Sequence, residues 1–141
     1  MAYDVNNIFA RMVRGEIPCI RVYEDADTLA FMDIMPQSDG HTLVVPKVAG
    51  ENLFDTPPES LAAAIRATQK VARAVERAFA APGLVVTQFN GPIAGQTVFH
   101  LHFHIVPVYA AGALRGHARE KADATVLEAH AARIRAALTS L

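Results

Sequence analysis

Apolar residues recur along the chain with two spacings, one near 3.6 residues and one of two, and each change of spacing marks a new element. Asp4 to Arg14 reads as a short helix with Ile8, Phe9, Met12 and Val13 on one side. Gly15 would close it in the left-handed conformation that costs glycine little. Arg21 to Glu24 and Thr28 to Ile34 read as paired strands around the turn Asp25-Ala26-Asp27, and His41 to Pro46 as a third strand. Thr56 to Phe79 carries the clearest helical stripe, in Leu61, Ile65, Ala72, Val75 and Phe79. Thr56 and Glu59 can form a capping box at its start, and Pro82-Gly83 ends it. Leu84 to Phe89 is a further strand, Asn90 to Gln96 a Gly-containing loop, and Val98 to Val108 the longest strand. A last helix runs from about Asp123 to Leu138, with Leu127, Ala131, Ile134 and Leu138 in line. Strands gathered around one long helix predict an α+β domain with an antiparallel sheet of about five strands.

Composition narrows the class. The 141 residues suit one unit with its own core, and 52% of them are apolar, which argues against disorder. Residues 1–110 are expected to form one domain, with 111–141 a loop and helix of the same unit. A net charge of -1 without charged blocks speaks against binding nucleic acid or an anionic membrane. Cys19 stands alone, so no internal disulfide or Cys-pair metal site can form; a reducing cytoplasm fits. The opening MAYDVNN lacks the layout of a secretory signal, and the Ala-rich helix is broken by Arg66, Lys70, Arg73, Glu76 and Arg77.

The chemistry is concentrated in FHLHFHIVP. On a strand, Phe99, Leu101, Phe103 and Ile105 share one face, and His100, His102 and His104 share the other, about 7 Å apart. Such a row of imidazoles is costly unless solvated, bonded or used. Taken alone it admits three readings: an exposed His-rich face, a metal site, or phosphorus chemistry with a neutral imidazole as nucleophile. The upstream run Gly91 to Thr97 brings backbone and side-chain donors suited to an anion. His41, in GHTLVVPK, starts another strand within reach of the row.

The string His100-Leu101-His102-Phe103-His104-Ile105-Val106 resembles the signature of the histidine triad family, and the resemblance continues outside it. Ile8-Phe9, Gly15-Glu16-Ile17-Pro18, Ala30 to Ile34 with Pro36, His41 to Lys47, and Gly95-Gln96-Thr97-Val98 look like that family's blocks in their usual order. The nucleotide-binding, phosphoramidase-like branch is the most similar. The resemblance implies an enzyme that binds a purine nucleotide such as AMP and cuts at its α-phosphorus through a covalent nucleotidyl-histidine. The nucleophile would be His102. His104 would serve the phosphate and leaving group, with His100 and His41 orienting and tuning. Gly95, Gln96 and Thr97 would hold the phosphate. Asn90 sits one position off the family's phosphate-binding Asn. Ile8, Phe9, Phe31 and Ile34 would sandwich the base, and Asp33 would take the ribose hydroxyls. A nucleoside phosphoramidate is the favoured substrate; a dinucleoside polyphosphate hydrolase and a low-turnover binding module are the alternatives. Many relatives use a Cys-x-x-Cys pair in binding zinc where this chain has Asn7-Ile8-Phe9-Ala10, so no metal and no cofactor are expected. A two-fold homodimer is expected too, through the long helix and a strand edge. The terminal helix, His117 and His130 have no functional reading.

Overall fold

In the computed structural model, which describes residues 2–112, 114 and 120–141, a sheet of five antiparallel strands separates two apolar layers. The elements follow in order as α1 (Ile8–Val13), β1 (Arg21–Glu24), β2 (Thr28–Met32), β3 (Thr42–Pro46), α2 (Pro58–Phe79), β4 (Gly83–Thr87), β5 (Phe103–Val108) and α3 (Ala124–Leu138). The strand order is β1-β2-β3-β5-β4, so the two chain halves meet where β3 pairs β5, with Leu43 opposite His104. His117 lies outside the described residues.

Period-two alternation sends each strand's residues to both layers. Ala30, Met32, Val44 and Ile105 join residues of α2 and α3 in the larger core, whereas Leu29, Phe31, Leu43 and Val45 pack with Phe9 of α1. Both central strands, β2 and β3, are buried along their whole length for this reason. The larger side is covered by helices of 22 and 15 residues, the other by the six-residue α1. Incomplete cover leaves a cleft on the α1 side.

Several boundaries differ from the sequence expectation. Helix α1 starts at Ile8, because Asn7 caps it by accepting from the Ala10 N–H at 2.9 Å, and Asp4 to Asn7 forms a turn instead. The capping box before α2 does not form: the Thr56 hydroxyl donates to the Asn52 carbonyl, and Pro57 occupies the cap. The buried stripe of α2 is Ala64, Ala67, Thr68, Val71, Ala74 and Val75, and Ile65 is exposed. Small side chains at helical spacing let the helix lie close on the sheet, which outweighs the larger residues the eye selects. Strand β2 stops at Met32, since the Asp33 carboxylate turns the chain by accepting from Met35 N–H.

The longest expected strand is also shorter, and β5 begins only at Phe103. Pro46 brings no N–H to a ladder, and its carbonyl accepts from the His100 ring. Leu101 N–H donates to Gly50 and the His100 carbonyl takes a bond from the His102 ring, so backbone groups here are used outside a ladder. His100 and His102 therefore sit on an irregular lead-in to the strand, and only His104 is strand-borne.

Helix α3 sets Leu127, Ala131 and Ile134 into the larger core, while Val126 faces outward. We expect Ile134→Ala to cost about 2–5 kcal/mol in urea unfolding and Val126→Ala to stay within about 0.5 kcal/mol. Equal losses would mean that α3 is not seated as described.

Candidate active site

A cleft of about 230 Å³ opens between α1 and the ends of β2, β3 and β5. Ile8, Phe9 and Met12 form one wall; Phe31, Met32, Asp33, Ile34 and Met35 form another, from the end of β2 and the turn after it. Leu43, Thr97, Val98, His102 and His104 complete it. Eight residues singled out in the sequence thus meet here: Ile8, Phe9, Phe31, Asp33, Ile34, Thr97, His102 and His104. Phe9 packs edge-on against both Phe31 and His102, at 5.3 and 4.9 Å between ring centres.

The four histidines are all buried, His41 completely. Hydrogen bonds assign their protons. Gln37 N–H donates to Nδ1 of His41 at 3.0 Å, which requires a lone pair there and puts the ring hydrogen on Nε2. That Nε2 lies 3.0 Å from Nδ1 of His104 and 3.3 Å from the Asp33 carboxylate. With Nδ1 accepting, a neutral His104 carries its hydrogen on Nε2. His102 has the opposite tautomer: its Nδ1–H donates to the His100 carbonyl at 2.7 Å, so its lone pair belongs to Nε2. A ring with a lone pair on Nε2 therefore stands beside one with an Nε2–H, their centres 5.0 Å apart. His100 lies behind them, its Nε2–H donating to Pro46 at 2.7 Å and its Nδ1 facing the Tyr3 hydroxyl at 2.6 Å.

The Gly-containing loop is held from within. Gln96 accepts from Gly91 N–H and donates to the carbonyls of Glu51 and Val98, so its amide braces the loop. Asn90 is bonded to Gln88 and to Leu53 N–H. Neither of these two lines the cleft, nor does Gly95, whose φ of +111° lets the chain turn back after the single 3₁₀ turn Pro92–Ala94. Thr97 is exposed at the cleft's edge.

Among the described residues, Asp33, His41 and His104 are the group close enough to share a cation, with ligand atoms within 4.8 Å of one another. The donor set does not fit one. A metal on His41 Nε2 would force the ring proton onto Nδ1, against the Gln37 N–H that points at it. The sequence reasoning missed Met12, Met35, Gln37 and Tyr3. Met12 shares the apolar side of α1 with Ile8 and Phe9 and could have been found; Tyr3 and the Gln37 backbone carry no signal in sequence. Ala122 N–H donates to the Ile34 carbonyl, so the segment leading into α3 braces a cleft residue. No helix among the described residues is long and apolar enough to cross a membrane.

A family model, the HIT domain, matches residues 14–111. The chain is 42% identical over 100 residues to the adenosine 5′-monophosphoramidase hnt1 of Schizosaccharomyces pombe, covering 71% of this chain and 72% of that one. It is similar in structure to a Hit-like protein involved in cell-cycle regulation from Bartonella henselae. That likeness has a TM-score of 0.90 and 52% identity, over 96% of this chain and 99% of the other. A zinc-bound histidine triad family protein from Mycobacterium smegmatis is similar at TM-score 0.82 and 37% identity, over 96% and 95% of the two chains.

Burial pushes the His100 imidazole below its ordinary value, against the pull of its bond to Pro46, and burial pushes His130 down as well. A histidine depressed in the folded state binds its proton more readily when unfolded. Its contribution to stability is then complete above the unfolded value, about 6.5, and is lost as pH falls toward the folded one. We expect stability against urea to decline from about pH 7.5 to 5.5, and His100→Gln to lower stability at both but shrink the difference. An unchanged difference would remove His100 from the acid response.

Proposed function

This chain belongs to the HIT domain family, and from that premise we propose that it hydrolyses purine nucleotide conjugates at the α-phosphorus, nucleoside phosphoramidates in particular. The observation that carries the reading is the contact of His102 Nδ1 with the His100 carbonyl and of His104 Nδ1 with His41 Nε2, which for neutral rings leaves a lone pair on His102 Nε2 beside an N–H on His104 Nε2. Nε2 of His102 attacks phosphorus and forms the P–N bond of a nucleotidyl-histidine. The P–N bond to the leaving amine breaks as the amine takes a proton from water, with the His104 Nε2–H as a hydrogen-bond donor to the departing group. Water then attacks the same phosphorus, the P–N bond to His102 breaks, the water's surplus proton passes to solvent, and AMP is released with His102 neutral again. The attacking ring becomes cationic, and its Nδ1–H bond to the His100 carbonyl strengthens with that charge.

The apolar walls, Ile8, Phe9, Phe31 and Ile34 with Met12 and Met35, suit a flat base. Asp33, at the cleft and acceptor-only when ionised, suits the ribose hydroxyls. Thr97 and the Gly95 turn stand on the phosphate side, with Gln96 and Asn90 holding the loop in shape. His41 relays from Gln37 to His104 and keeps that ring in its tautomer. Residues 1–110 form the nucleotide-binding part of this reading, and 111–141 complete the unit. The lone, half-buried Cys19 agrees with a cytoplasmic setting.

His102→Ala should reduce AMP release from adenosine 5′-phosphoramidate by at least about a thousandfold and leave AMP affinity within about threefold. Chelator treatment should leave the wild-type rate unchanged. Turnover retained in the variant would remove His102 as nucleophile, and activity lost on chelation and restored by metal would replace the mechanism.

We also propose a two-fold dimer. Among the described residues strand β4 is an edge of the sheet, Val85 and Val86 on it are exposed, and so is Ile65 on α2. Sedimentation should find a dimer that Val86→Asp converts to monomer; a wild-type monomer would end this reading.

A further inference from the structure

Tyr3 lies before the span of the family match and does not line the cleft. Its hydroxyl nevertheless comes within 2.6 Å of His100 Nδ1. The Pro46 carbonyl at the ring's other nitrogen can only accept, so Nε2 carries the hydrogen and Nδ1 presents a lone pair. Tyr3 is therefore the donor. Burial pushes the Tyr3 hydroxyl above its ordinary value, which keeps it protonated well past neutrality.

We infer that Tyr3 is a positioning residue for nucleotidyl transfer: clamped between Tyr3 and Pro46, the His100 side chain fixes the carbonyl that aligns the His102 ring. The inference rests on the proposed role of His102 as nucleophile. His100 is held at three points: ring Nδ1 by Tyr3, ring Nε2 by Pro46, and the peptide that follows it by the Leu101 N–H bond to Gly50. The carbonyl inside that frame is the acceptor of His102 Nδ1–H.

Without the phenol, His100 Nδ1 would be a buried acceptor lacking its donor. The ring could then rotate or move its hydrogen to Nδ1, and either change breaks the Pro46 bond. The carbonyl would be less well placed. That carbonyl matters more in the transition state than in the ground state, because His102 gains positive charge only as its Nε2 bonds to phosphorus. Loss of Tyr3 should therefore appear in kcat and hardly in KM.

The test combines imidazole nitrogen spectra with steady-state kinetics on the whole chain. It uses wild type, Tyr3→Phe, and a protein with 3-fluorotyrosine at position 3, which keeps the hydroxyl. In wild type, His100 should be protonated at Nε2 alone and His102 at Nδ1 alone. Tyr3→Phe should mix the His100 tautomers, broaden the His102 Nδ1–H signal, and lower kcat on adenosine 5′-phosphoramidate about tenfold with KM within about twofold. The fluorinated residue should restore both spectra and rate. Unchanged imidazole signals in Tyr3→Phe would overturn the inference, and a lower folding temperature alongside them would mark Tyr3 as merely structural. If the wild type releases no AMP, the hydrolase reading fails by itself. The spectra would still decide whether Tyr3 governs the His102 ring.

Discussion

Four imidazoles buried on one face of a sheet must each be bonded, and the rest of the site follows from how that requirement is met. Unpaired polar groups in an apolar layer are strongly destabilising, and charged ones more so. The rings hand hydrogen bonds along in fixed directions: Gln37 to His41 to His104, Tyr3 to His100 to Pro46, and His102 to the His100 carbonyl. Each bond in these chains permits one tautomer at the next ring. A ring with a lone pair on Nε2 beside a ring with an N–H on Nε2 is the consequence.

The sheet turns that network into a cleft. Its helix-covered side is a continuous core in which Val44, Ile105, Val71 and Ile134 meet, and this side holds the strands still. Its other side is roofed by a helix of six residues, too short to close the cleft that Phe31, Leu43, His102 and His104 line. The same alternation that gives β3 and β5 their core residues places His104 opposite Leu43 on the open side. Core and site are the two faces of one set of strands. The terminal segment takes part in both, through α3 in the core and Ala122 bonded to the Ile34 carbonyl behind the cleft.

The sequence by itself determined the α+β class, the antiparallel sheet and the span of α3, because alternation and helical spacing are local properties; the family resemblance, not spacing, named the eight residues that meet in the cleft. It also singled out His102, and the histidine string carried the family. Tertiary structure decided what depends on partners distant in the chain. Whether residues 98–102 join a ladder turned on Pro46 and Gly50, which take the bonds a strand would have used. Which face of α2 goes inward turned on how near the sheet allows it, so Ala64, Ala67 and Ala74 are buried and Ile65 is not. The resemblance put Gln96 on the phosphate and Asn90 one position off it; the structure adds that their amides brace the loop backbone, a use no spacing reveals. The proton on each histidine was likewise out of reach, since a tautomer is set by the group across from the ring, and Tyr3, Gln37 and Pro46 stand far along the chain or act through the backbone.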